Sequence, residues 1–315
     1  MTTTTSGAPV APASQVSLDA KGLAKVRKVK PYNPEKRRSK LLTALLWLCG
    51  LYFVLPILWL VIASTKDNAD LFSTFGYWFG AKFSLWENLK DVFTTGNGIY
   101  LHWALNTVVY ALVSAVGASF LATMAGYAFA KYRFPGAKIM FSVVLGAIMI
   151  PLTALALPTY LIFSHFGITN TPIAVIVPSL VSPFGVFLMR VYAADAIPDS
   201  MIEAARVDGA SEGRIFFQVG LRLLGPGIVT VFLFALVATW NNYFLPLIML
   251  NSSNLYPLTV GLAQQQATSA GGGGSQALFS TVITGSLVSI VPLIVAFLFL
   301  QRYWQTGLAS GSVKE

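Results

Sequence analysis

Six stretches of the chain are apolar for long enough to cross a bilayer, and nothing else in the sequence limits the fold so tightly. About 30 Å of hydrocarbon needs around 20 helical residues, and runs of that order lie at 41–63, 104–130, 139–162, 173–189, 223–250 and 278–300. The first and last hold no charged side chain at all. The fourth is short and carries Pro178 and Pro183, which predicts a tilted or broken span whose freed carbonyls are met by neighbouring helices or cavity water. The expected fold is an all-α integral membrane protein with six transmembrane helices over 41–302. Charged residues make up only 10% of the chain and mean hydropathy is +0.68, against about 25% charge in soluble proteins.

Charge placement orients the spans. Lys and Arg number nine before the first run, three in 64–103, three in 131–138, none in 163–172, four in 190–222, none in 251–277 and two in the tail. Alternate loops therefore hold eighteen against three, and with the acids included +10 against −1. Cytoplasmic loops carry the Lys/Arg excess, so both termini are expected in the cytoplasm, including a tail at 303–315. The excess is spread along membrane borders, which removes the case for nucleic acid as a partner. Residues 1–40 form a basic cytoplasmic extension, expected to be disordered to about Asn33. Its nine cations between Lys21 and Lys40 suit anionic lipid headgroups, at about 1 kcal/mol per charge. The first apolar run starts too late and runs too long for a cleavable signal peptide. Cys49 is the single cysteine and lies inside the first run, so packing is its expected role.

The outer loops differ from one another. Within 64–103, Ser84-Leu85-Trp86-Glu87 has the capping-box pattern and opens an amphipathic helix with Leu85, Leu89, Val92 and Phe93 on one face. Such a helix, with Trp78, Trp86 and Trp103 nearby, suits the headgroup layer. Residues 264–275 are uncharged and glycine-rich, which predicts a mobile loop. No G-x-x-x-x-G-K-[ST] occurs, so the chain is expected to hold no nucleotide itself. His102 and His165 lie at outer ends of spans, with no H-E-x-x-H and no intramembrane carboxylate pair. An interfacial role is expected for each, and neither catalytic, cofactor-binding nor metal residues are assigned. The runs themselves lack Asp, Glu, Lys and Arg, which argues against an ion-coupled carrier or channel. They offer uncharged polar groups such as Asn106, Thr123, Asn241 and Asn242, fitted to a hydroxyl-rich solute or to hydrogen bonds between helices.

The loop between the fourth and fifth runs carries the most specific local signal. Ser200-Met201-Ile202-Glu203 is a capping box that starts a short helix without help from neighbours. Gly209 ends that helix in the left-handed conformation, and Ser211 stands as N-cap for a second one. Ala204 and Ala205 let the first helix seat closely in a partner's groove, with Glu203, Arg206 and Asp208 around the rim. The pattern S-x-x-E alone also fits an ordinary surface helix.

Taken together, the residues resemble a known family. Glu203-Ala204-Ala205-Arg206-Val207-Asp208-Gly209-Ala210-Ser211 with Arg214-Ile215-Phe216-Phe217 is similar to the EAA loop of type I ATP-binding-cassette importer permeases. Pro56-Ile57-Leu58-Trp59, Gly126 through Gly136, Met149-Ile150-Pro151, Ser182-Pro183-Phe184-Gly185, Trp240-Asn241-Asn242-Tyr243 and Gln301-Arg302-Tyr303-Trp304 resemble the carbohydrate branch, in particular the maltose-permease G-type subunit. The likeness covers about 41–315. The basic extension, Arg222 to Pro226 and the glycine tract depart from it.

The resemblance implies a subunit that pairs with a homologous second permease, two cytoplasmic ATPase subunits and an extracytoplasmic sugar-binding protein, in a bacterial-type inner membrane. ATP is then used by the partners and this chain needs no cofactor. The helix from Ser200 to Gly209, within a coupling loop at 190–222, would transmit the ATPase stroke. Its implied roles are capping and docking polarity for Glu203, close approach for Ala204 and Ala205, a polar contact for Asp208 and chain reversal for Gly209. Trp240, Asn241 and Asn242 are candidates for the solute path, since an indole stacks on a sugar ring and amides bond its hydroxyls. Packing is the competing role for Trp240. A polyol or glycerophosphodiester remains open as solute, and a membrane-embedded sugar-lipid enzyme is the further alternative.

Overall fold

The computed structural model describes residues 16–18, 24–26, 39–271 and 278–310. Two units divide the chain, one through Leu55 and one from Pro56 onward. In the first, Val16–Leu18 pairs antiparallel with Ala24–Val26, Val16 opposite Val26 and Leu18 opposite Ala24. A two-stranded ribbon of this length is marginal on its own in water. The rest of the region expected to be disordered lies outside the described residues.

Every other described element is helical. Helix α1 is Lys40–Ser64, with Pro56 inside it. It is followed by α2, Asn68–Ser73, whose first turn is capped by the Asp67 carboxylate accepting the Asp70 N–H at 2.8 Å. Helix α3 is Leu85–Lys131, broken at Thr95 to Gly98, where Gly96, Asn97 and Gly98 take φ of 60°, 57° and 76°. The break separates a short arm, 85–94, from a long arm, 99–131. Ser84 stands at the N-cap without a side-chain bond, so the expected capping box is not formed there. Glu87 is drawn instead to Lys82, 2.9 Å away. Val92 is buried and Leu85 and Leu89 half-buried, but Phe93 stays exposed with its ring edge-on to Tyr100.

The third run is not one helix. Helices α4, Ala137–Ile148, and α5, Leu152–His165, meet at 106° around Pro151. Proline offers no N–H to the preceding turn, so the ladder stops there. The fourth run is likewise broken, into α6, Pro172–Ser179, and α7, Pro183–Ala196, but the two together are long and apolar enough to cross. Ser182 accepts the Gly185 N–H at 3.2 Å and restarts the helix, with Pro183 in the first turn where its missing N–H costs nothing. Helix α7 extends past the expected boundary and carries Arg190, whose guanidinium carbon stands 4.0 Å over the Phe141 ring.

After α7 come α8, Asp199–Val207, and α9, Glu212–Ile215, then a π-helical turn, Phe216–Gly220, and α10, Leu221–Leu223. The fifth run, expected to be continuous over 223–250, is α11, Gly225–Trp240, and α12, Phe244–Met249, separated at 241–243. Helix α13, Leu258–Ala270, occupies most of the stretch expected to be a mobile loop. Within it Thr268 and Ser269 spend their hydroxyls inside the helix, donating to the carbonyls of Gln264 and Gln265 one turn back at 2.9 Å. The remainder of that tract, 272–277, lies outside the described residues. Helix α14, Phe279–Ser310, continues through much of the expected tail. Among the described residues four helices or helix pairs are long and apolar enough to cross, and up to six are if each sharply bent pair is one span.

In the second unit α3 is the organising element, packed along α6, α7, α11, α13 and α14. Its backbone touches that of α7 at Gly126, where a Cβ would fall 2.6 Å from the Met189 Cβ and 2.7 Å from the Arg190 nitrogen. One buried cluster joins Tyr127 of α3, Met189 and Ala193 of α7, Ile202 of α8, Ile215, Phe216, and Val231 of α11. Outward rows such as Val109, Val113, Val116 and Phe120 remain exposed, as hydrocarbon or a partner subunit requires.

Candidate coupling site

Helix α8 is short, and its two faces differ. Ile202 is buried and Ala205 half-buried, both against the inner cluster. Ser200, Glu203, Ala204 and Val207 share the opposite face at helical spacing and are exposed, Val207 at 87%. Met201 adds 41% exposure beside them. The close-approach pair inferred from sequence is therefore divided. Ala204 faces outward, while Ala205 seats the helix on its own bundle.

The start of α8 differs from the expected capping box. Pro198 is the N-cap residue, in extended conformation, and no side chain caps the helix. Ser200 lies within the first turn. The Asp199 carboxylate sits 2.8 Å from Lys131 Nζ at the end of α3, and Asp199 also complements the helix dipole. The Lys131 side chain is 5% exposed and that of Asp199 80%. Hydrogen bonding and charge from Lys131 hold the Asp199 carboxyl below its usual range.

The end of α8 forms as the glycine signal implies. Gly209 takes φ +78°, the Ala210 N–H reaches the Ala205 carbonyl at 3.0 Å and the Gly209 N–H the Arg206 carbonyl at 3.0 Å. These are the paired bonds of a Schellman motif. Asp208 is exposed at the helix end. Ser211 occupies the N-cap of α9 without a side-chain bond. Arg206 bridges the turn, its Nε 2.7 Å and Nη2 3.2 Å from the two Glu212 carboxylate oxygens, and Tyr132 donates its hydroxyl to Glu212 Oε2 at 2.8 Å. Arg206 first and Tyr132 second lower the Glu212 carboxyl, and burial followed by the bond to Glu212 raises the Tyr132 phenol. Sequence reading missed Lys131, Asp199, Tyr132 and Glu212 as a group. They lie 68 to 80 residues apart in pairs, and only the likeness around Gly126 to Gly136 pointed to the α3 end.

The path candidates gather at the break after α11. Trp240 is 8% exposed and packs with Ala111, Ala115 and Leu236. Asn241 is exposed, its amide donating to the Val237 carbonyl at 2.9 Å. Asn242 is half-buried, its side-chain oxygen accepting the Leu245 N–H at 3.3 Å and its carbonyl accepting the Thr259 hydroxyl at 2.8 Å. Both histidines are exposed, and among the described residues no three His, Cys, Asp or Glu side chains group as a metal site.

Residues 118–305, which contain α7, α8 and the break at 241–243, match the family described as binding-protein-dependent transport system inner membrane component. The chain belongs to that family. It is accordingly a permease subunit of a binding-protein-dependent ATP-binding-cassette importer, an inner-membrane component without an ATPase site of its own. It is 34% identical over 262 residues to the arabinooligosaccharides transport system permease protein AraQ of Halalkalibacterium halodurans, covering 83% of this chain and 91% of that protein. It is 28% identical over 254 residues to the sn-glycerol-3-phosphate transport system permease protein UgpE of Pectobacterium atrosepticum, covering 78% and 87%. In fold it matches a bacterial ABC transporter involved in the import of the acidic polysaccharide alginate. The TM-score is 0.73 at 22% identity, over 88% of this chain and all of the matched one.

Proposed function

We propose that this permease forms half of the path of an oligosaccharide importer, with a homologous second permease as the other half and both termini in the cytoplasm. An extracytoplasmic sugar-binding protein delivers the solute, and two cytoplasmic ATPase subunits drive the cycle. The observation that carries the coupling role is the face of α8: Met201, Ala204 and Val207 are exposed on a helix held rigidly by Ile202 and by charges at both ends. An apolar strip on an exposed helix fits a groove of a partner. ATP-driven closure of the ATPase pair then moves α8 and the attached spans between inward-facing and outward-facing states.

Charge favours a neutral solute over a glycerophosphate. Arg190 is engaged by the Phe141 ring, and the buried Lys66 ammonium donates to Thr74 Oγ1 and the Phe75 carbonyl, each at 2.8 Å. Neither is presented to an anionic solute, and a phosphate in a span needs a paired cation. Asn241 is the side chain we place on the path, with Trp240 behind it as packing and Asn242 holding the start of α12.

Uptake by the reconstituted transporter with its binding protein tests this reading. Labelled arabinotriose should be imported and glycerol 3-phosphate should not, and Asn241→Ala should lower sugar uptake while the ATPase subunits still co-purify. Import of glycerol 3-phosphate in preference to sugar refutes the solute assignment. Unchanged uptake kinetics in Asn241→Ala refutes its place on the path.

A further inference from the structure

Helix α3 is gripped at both ends. Near one end of its long arm Trp103 Nε1 donates to the Ser253 carbonyl at 2.8 Å, Asn106 to the Asn254 carbonyl at 2.7 Å, and Tyr110 to the Leu255 carbonyl at 2.9 Å. Thr107 Oγ1 accepts the Leu258 N–H at 2.8 Å. Four residues on one helix thus hold 253–258, the segment that leads into α13. At the other end Lys131 and Tyr132 hold Asp199 and Glu212, on either side of α8.

Between the two grips the helix has no joint. The non-helical residues of α3 are confined to 95–98, so 99–131 is about 50 Å of continuous helix. The backbone contact at Gly126 fixes it against α7. Helix α8, by contrast, joins the bundle covalently only through 197–198 and the turn at 208–211. With Ile202 as its one fully buried residue, it has little apolar contact to set its rotation. The pair at Asp199 and the Arg206–Glu212–Tyr132 chain supply that constraint, one at each end of the helix.

We infer that Lys131 and Tyr132 are positioning residues that lock α8 to α3 and make α3 the strut between the binding-protein face and the ATPase face. Displacement of 253–258 then reaches α8 through a single rigid element instead of through the loops around it. Rigid elements with two arrangements are the physical carriers of such coupling. The inference rests on the reading of α8 as the ATPase-docking helix.

The test uses the complete transporter in proteoliposomes, with the binding protein charged with whichever of arabinotriose and glycerol 3-phosphate stimulates the unmodified complex. Two readouts are taken: ATPase subunits retained on purification, and stimulation of ATP hydrolysis by the charged binding protein. Tyr132→Phe combined with Asp199→Asn should retain the ATPase subunits yet lower stimulation by about fivefold or more, a coupling loss of ordinary size. The exchange Lys131→Asp with Asp199→Lys should recover much of what Asp199→Lys alone loses, which a cycle of the four variants measures. Stimulation at the unmodified level in all variants overturns the inference, as does loss of the ATPase subunits without recovery in the exchange. Ala204→Trp serves as control. ATPase subunits retained with it refute the docking reading, whereas their loss with it, beside normal stimulation in the tie variants, refutes the strut alone.

Discussion

Gly209 gives the most discriminating test of the turn that closes α8. Its φ is +78°, and a Cβ built on it meets no atom within 4 Å. A side chain there costs nothing in packing, so any penalty comes from the backbone. For an L-residue in the left-handed region that penalty is about 1–2 kcal/mol, which shifts the local equilibrium roughly 5- to 30-fold away from the Schellman turn. The turn fixes where α8 points relative to α9, so ATPase retention should weaken in proportion. The order expected is Gly, then Asn, then Ala, then Val, because Asn tolerates positive φ by bonding its own backbone and a β-branched residue tolerates it least. Titrating solubilised complexes with ATPase subunit gives an apparent affinity for Gly209→Asn, Gly209→Ala and Gly209→Val. Asn is larger than Ala, so a result in which Gly209→Asn is worse than Gly209→Ala would show that volume at the docking surface matters, not conformation. Equal affinity for Gly209→Val and the unmodified protein would falsify the argument outright.

Ala204→Trp should release the ATPase subunits with thermal stability unchanged, whereas Ala205→Trp should lower stability by about 1–3 kcal/mol by overpacking its own cluster; melting and co-purification separate them, and the same phenotype in both refutes the two-faced helix. Acid should act late on the ties around α8. The Asp199 and Glu212 carboxyls are lowered in the fold, so their contribution is complete above the unfolded value of about 4 and is lost as pH falls through the lower folded values. Stimulation of ATP hydrolysis by the charged binding protein, taken relative to the basal rate at each pH, should be flat from about pH 8 to 5, and a midpoint near neutrality would mean that other groups control it. For topology, Ser211→Cys and Gln264→Cys on a Cys49→Ala background should react with an impermeant thiol reagent from inside and from outside respectively, and outside labelling at position 211 refutes the orientation.

Bilayer thickness and side-chain chemistry made much of this protein legible before any coordinates. Apolar runs of sufficient length leave the backbone few options, so up to six crossing segments and a helix closed at Gly209 follow from local rules. The family motifs are local as well: Glu203 to Ser211 is a contiguous string. What local rules could not supply is how each interruption is used. Pro151 turns its run by 106° while Pro183 restarts a helix that still crosses, because the outcome depends on which neighbours meet the freed backbone groups. The capping-box patterns at Ser84 and Ser200 are not formed: Glu87 pairs with Lys82, and α8 starts ahead of Ser200, with Pro198 at its N-cap and Asp199 in its first turn. Only the tertiary structure decided that Ala205 and Trp240 face their own bundle while Ala204 and Asn241 face outward, and that Lys131 and Tyr132 meet residues 68 and 80 positions away. Orientation about a helix axis and contact across the bundle are set by how helices pack against one another, and the hydrophobicity of a lipid-exposed helix, apolar nearly all round, carries almost no record of which side that will be.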